Sequence, residues 1–103
     1  MESSMPIACN LSRLTDAQRQ REQALLGKFR TRLVKEAETE DGFRFSVPAE
    51  AAELADLGEF LGLERLCCPF LVFRLEVTQE ETARLSISGP EGVKDFILQE
   101  FTR

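Results

Sequence analysis

At 103 residues, 43% hydrophobic and 30% charged, the chain has the length and composition of one soluble domain, residues 1–103, with a single core. It contains no apolar run long enough to span a membrane, and a net charge of −5, with thirteen Lys and Arg mixed among eighteen acids, argues against nucleic acid as a partner. Histidine, tyrosine and tryptophan are all absent, which excludes Ser-His-Asp and Cys-His catalysis and leaves cysteine, carboxylates, Lys, Arg and backbone amides to carry any chemistry.

Residues 1–5 read as a flexible tail. Met1 to Pro6 lacks the positive start and apolar block of a secretory signal, so a cytoplasmic location is the expectation. Residues 6–11 are short and half apolar and read as an edge strand. Thr15 or Ser12 can then cap a helix that carries Asp16 in its first turn, where a carboxylate suits the helix dipole. Leu25, Leu26, Phe29 and Leu33 recur at helical spacing and predict its buried stripe. The run from Gln18 to Gln23 is polar all round and is expected out in solvent.

The helix should end near Arg32 and pass into a charged strand over residues 33–38. Thr39-Glu40-Asp41-Gly42 predicts a hairpin turn, and Phe43, Phe45 and Val47 alternate with Arg44 and Ser46 in a half-buried strand ending at Pro48. The acids Glu36, Glu38, Glu40 and Asp41 show no ligand spacing and read as hairpin solubility.

Residues 49–66 form the longest helical pattern. Leu54, Leu57, Leu61, Glu64 and Cys68 fall on one side, with Phe60 and Cys67 beside them. Gly58 and Gly62 stand four apart and suggest that another element approaches closely there. Pro69 stops the helix. Leu71, Phe73, Leu75 and Val77 face one way and Phe70 and Val72 the other, so the next strand is expected to be buried on both sides near the cysteines. After a polar turn over residues 78–82, Ala83, Leu85 and Ile87 mark the return strand. Gly89-Pro90-Glu91-Gly92 opens a final helix whose stripe is Val93, Phe96, Ile97 and Phe101.

The element order is an edge strand followed by α-β-β-α-β-β-α, which suggests a duplicated α-β-β unit. The fold class is α+β: two layers, a mostly antiparallel sheet with helices on one face.

The chemistry concentrates in Glu64-Arg65-Leu66-Cys67-Cys68-Pro69-Phe70. A closed structural zinc site uses four Cys or His ligands, and three cysteines without histidine cannot supply them. Three thiolates suit a soft ion, provided Cys9 folds against the end of the helix, and Glu64, one turn before Cys68, can add an oxygen or hold a proton. The negative end of the helix dipole and an apolar setting disfavour free thiolates here. Coordination deprotonates a thiol directly, so a metal role fits this position better than a reactive nucleophile. Ordinary buried cysteines at a crowded junction are the plain alternative. At the start of the last helix, free amides can bind an anion, but Glu91 opposes phosphate and no P-loop Lys-Ser/Thr is present.

Ala8-Cys9, the Glu-Arg-x-Cys-Cys-Pro-Phe block at residues 64–70 and Gly89-Pro90-Glu91-Gly92-Val93-Lys94-Asp95-Phe96 together resemble a small, uncharacterised bacterial family. The resemblance spans nearly the whole chain, and its most specific part is Cys-Cys-Pro-Phe. It implies a heavy-metal resistance setting, mercury or arsenic, and groups Cys9 with the vicinal pair.

The first expectation is therefore a cytoplasmic thiol protein, more a binder than an enzyme, holding a Hg, As or Cu(I)-class ion through Cys67, Cys68, Cys9 and Glu64. A thiol redox module is the second. A non-enzymatic interaction domain with structural cysteines, forming a homodimer through a sheet edge or the exposed helix, is the third.

Overall fold

The computed structural model describes residues 7–102, so the tail expected over residues 1–5, together with Pro6, lies outside the described residues. From residue 7 onward the chain forms no strand before the first helix. It bends and enters a short 3-10 turn, Leu11–Arg13, capped by the Asn10 side chain. The edge strand expected over residues 6–11 is thus corrected. The Asn10 N–H donates to the Cys67 carbonyl at 2.7 Å, which ties this stretch to the end of a helix rather than to the sheet.

Helix α1, Asp16–Arg32, starts in a capping box: the Gln18 N–H donates to Thr15 Oγ1 at 3.1 Å, and the Thr15 N–H donates to Gln18 Oε1 at 2.9 Å. Strands β1, Val34–Thr39, and β2, Gly42–Pro48, make the first hairpin, with a register shift between Lys35 and Ala37. Helix α2, Ala51–Cys67, leads to strand β3, Val72–Glu76, which pairs with β4, Thr82–Ser88. Helix α3, Val93–Phe101, closes the chain, capped by Gly92 at φ 92°, a left-handed conformation open to glycine.

All strand pairs are antiparallel, in the order β1-β2-β4-β3, so two α-β-β units meet along β2 and β4. Gly42 is required at that seam, because a Cβ there would lie 1.9 Å from the Ile87 carbonyl oxygen. Period-two alternation builds the sheet's two faces. Phe43, Phe45, Val47, Ala83, Leu85 and Ile87 are buried on one face, while Arg44, Ser46, Arg84 and Ser86 lie on the open one. The α+β expectation, with its antiparallel sheet and element order, is therefore met. Phe60 ties the helical layer together, stacking on Phe29 of α1 at 5.4 Å and meeting Phe101 of α3 edge-on at 6.0 Å. Each such burial is worth about 1.5–3 kcal/mol.

Three expectations about this layer are corrected. Gly58 and Gly62 have nothing within 4 Å of a built Cβ, so no element packs closely against them. β3 is an edge strand with Val72 46% exposed, because the residues that are buried near the cysteines, Phe70 and Leu71, precede the strand and fill the turn. The polar start of α1 is not wholly in solvent: Glu22 points inward and is only 3% exposed.

Candidate functional site

The last turn of α2 carries Glu64 and Cys67, and Cys68 caps it, donating its N–H to the Glu64 carbonyl at 2.7 Å. Pro69 prevents the helix from running on. The N-terminal stretch crosses this end. Asn10 holds the Cys67 carbonyl, and the Arg19 guanidinium donates to the carbonyls of Leu11 and Leu14 at 3.0 Å each. That clamp lays Cys9 against Cys68, and the two form a disulfide across 59 residues of sequence.

One ligand atom each from Cys9, Glu64, Cys67 and Cys68 falls within 4.8 Å of the others. Cys67 Sγ is 3.7 Å from Cys68 Sγ, and Glu64 Oε1 is 3.4 Å from Cys68 Sγ. With Cys68 in a disulfide its sulfur carries no proton, so Cys67 is the donor of the first contact and the second is an approach without a hydrogen bond. Glu64, Cys67 and Cys68 are fully buried. Cys67 is the only free thiol among the described residues.

Beneath the sulfurs lies a second cluster that shares Glu64. Glu22 of α1, Glu64 of α2 and Glu100 of α3 bring carboxylate oxygens within 4.8 Å of one another. Burial, then a hydrogen bond to Glu22, then the negative charges of Glu22 and Glu100 raise the Glu64 carboxyl to about 10, with Arg30 opposing. Glu64 is accordingly neutral near pH 7. Its Oε2 has no protein donor, and the proton resolves this, because a carboxylic acid O–H can donate to Glu22. Glu100 is also raised by burial, against the pull of Arg30, which donates to the Glu100 backbone carbonyl at 2.7 Å. Burial, reinforced by Glu64 and Glu22, pushes the Cys67 thiol up to about 12. The site is buried and acidic, and Glu64 and Cys67 hold their protons there.

All four residues singled out in the sequence converge here. What sequence reasoning missed is the state of the sulfurs and the depth of the acid cluster. The three cysteines are not three thiols, and the bridge joins Cys9 to Cys68 rather than the adjacent pair. Glu22 had a readable signal, since it continues the stripe Leu25, Phe29, Leu33 by one helical turn. Glu100 likewise flanks the Val93, Ile97, Phe101 stripe. Arg65, between Glu64 and the cysteines in sequence, is exposed and makes no ion pair among the described residues. The start of α3 borders a hollow of about 410 Å³ lined by Glu40, Asp41, Glu91 and Asp95 against the single Lys94, a setting that repels anions.

Among the described residues no helix is long and apolar enough to cross a membrane. Comparison with models of known protein families, with curated proteins and with solved structures finds no match to this chain.

Proposed function

We propose that the chain is a thiol protein that captures one soft metal or metalloid ion, of the Hg(II), As(III) or Cu(I) class, through Cys9, Cys67 and Cys68, and sequesters it or passes it on. The observation that carries this reading is the convergence of three sulfurs and the Glu64 carboxyl within 4.8 Å. A metal–sulfur bond of about 2.3 Å sets neighbouring sulfurs about 3.7–4.0 Å apart in tetrahedral or trigonal geometry. The Cys67–Cys68 spacing of 3.7 Å already falls in that range. The resemblance of residues 64–70 to a family with a heavy-metal resistance setting points the same way.

Capture requires that the Cys9–Cys68 disulfide be opened first. A dithiol reductant, such as the thiol pool of a reducing cytoplasm, supplies two electrons and two protons and is itself oxidised to a disulfide. The ion then replaces the thiol protons, which leave to solvent. Coordination overcomes the high Cys67 pKa, because the ion's charge favours the thiolate. Glu64 either keeps its proton or gives it up to serve as a fourth, oxygen ligand. The disulfide state is closed to the ion, so redox poise gates loading.

Native mass spectrometry of the reduced protein with Hg(II), As(III), Cu(I) and Zn(II), against excess small thiol, tests this. One retained soft ion per chain is expected, lost in Cys67→Ser and in Cys9→Ser, with Zn(II) stripped by the competitor. Retention of no ion by the reduced wild type overturns the reading.

The disulfide itself favours a second reading, a redox module in which Cys9 and Cys68 cycle alone. That module needs no Cys67, so Cys67→Ser would preserve reversible oxidation, and no ion would be retained even by the wild type. A disulfide that resists reduction in the native protein would instead mark it as a structural staple of an interaction domain.

A further inference from the structure

The two edges of the sheet are built differently. β1 carries Lys35, Glu36 and Glu38 and a register shift between Lys35 and Ala37, the charges and irregularity that keep an edge from pairing. β3 has no such irregularity against β4, and its outer side pairs with no other strand among the described residues. Among the described residues, three of the five exposed large hydrophobic side chains gather there: Val72 at 46%, Leu75 at 39% and Val77, just past the strand, at 50%.

Phe73, Leu75 and Val77 lie on the same side of the sheet as the core. Phe73 meets Phe101 of α3 edge-on at 6.4 Å, but Leu75 and Val77 extend beyond the cover of the helices. Beside them an open groove of about 600 Å³ runs between α2 and β3, bordered by Leu61, Gly62, Leu66, Leu71, Val72 and Phe73. The emptiness around Gly62 belongs to this groove.

We propose that this edge is a homodimer interface: β3 pairs antiparallel with β3 of a second copy, centred on Leu75, to make one eight-stranded sheet. The strand's own sequence fits this register. Pairing about Leu75 sets residue 74 opposite residue 76 of the other copy, so Arg74 faces Glu76 twice, on the open side of the sheet. It sets Phe73 opposite Val77 twice on the core side, with Leu75 against Leu75 at the centre. Every exposed apolar residue of the core-side row is then covered, and both charges of the open side are matched. Shifting the register by one residue would place Arg74 against Leu75 and lose both pairings, as expected from the two-residue period of a strand. Within one copy Glu76 already approaches Arg84 at 3.6 Å, so the intermolecular Arg74 completes a row of alternating charge.

Light scattering after size exclusion should give twice the 11.7 kDa chain mass. Arg74→Glu alone and Glu76→Arg alone each place like charges opposite each other, and each should weaken the dimer about tenfold or more. Mixing the two variants should restore it as a one-to-one heterodimer, since each chain then meets opposite charge at both positions. Val34→Lys on β1 should leave assembly unchanged. A wild-type protein that stays monomeric at every soluble concentration overturns the proposal, and so does a dimer that ignores the charge changes or fails to re-form on mixing. Neither result bears on ion capture, which is read as ions per chain in the reduced protein whatever its assembly.

Discussion

The antiparallel helices α1 and α2 meet along one seam whose two ends treat carboxylates in opposite ways. Through the first and middle turns of α2, Glu53, Asp56 and Glu59 each have a basic partner on α1. Lys28 Nζ donates to Asp56 at 2.7 Å and lies 3.4 Å from Glu53, and Arg21 Nε donates to Glu59 at 2.9 Å. There the Lys28 hydrogen bond holds Asp56 below the usual carboxylate range. Toward the end of α2, Glu64 faces Glu22 with no base between them, and the carboxyl rises to about 10. Arg21 and Glu22 are neighbours in sequence and belong to opposite ends of this contrast. Residue type does not decide whether a glutamate is charged; its solvent and its partners do.

The largest effect expected from breaking the contrast is on pH dependence. Glu64 has a folded pKa above its unfolded value of about 4.3, so its contribution to stability is complete below pH 4 and is lost as pH rises toward 10. In that window the folded state holds a proton that the unfolded state has released. Stability should fall by up to about 1.4 kcal/mol per pH unit, about 4 kcal/mol between pH 6 and 9. Urea midpoints across that range should flatten in Glu64→Gln, which keeps the neutral form at every pH. An unchanged slope in that variant would mean that Glu64 is not the group that titrates.

Next comes the covalent closure of the buried end. The surface end carries ion pairs and no covalent link, whereas the Cys9–Cys68 bridge closes a loop of 59 residues over the other. A native disulfide typically contributes about 2–4 kcal/mol, and loop-closure entropy for a loop this long sets the upper end at about 4 kcal/mol. Urea denaturation with and without a phosphine reductant should show a loss of that size, absent in Cys68→Ser. A wild type equally stable in both conditions would show that the clamp made by Asn10 and Arg19 holds the segment without the bond.

The smallest effect should come from the exposed end. Asp56→Asn removes the main partner of Lys28, yet Glu53 remains 3.4 Å from the same ammonium. Thermal midpoints should shift only slightly, and the shift should vanish in high salt. A large, salt-independent loss would show that this surface seam contributes as much as the buried one.

Apolar periodicity determined the elements. The stripe of α1, the alternation of β2 and β4, the stop at Pro69 and the opening of α3 at Gly92 are local properties, written in spacings of two or of three and four residues. The grouping of Cys9, Glu64, Cys67 and Cys68 was also legible, because donor chemistry and the family-like motif single those residues out. Only the tertiary structure decided that β3 lies at an edge, since strand order depends on which hairpins meet and not on any one strand's pattern. It alone decided that Glu22 and Glu100 converge on Glu64, because three helices must pack before their flanking acids can share one buried space. It also decided the state of the sulfurs: adjacent cysteines were bound to be close, but Cys9 reaches Cys68 through a backbone clamp to the Cys67 carbonyl that no spacing in the sequence announces.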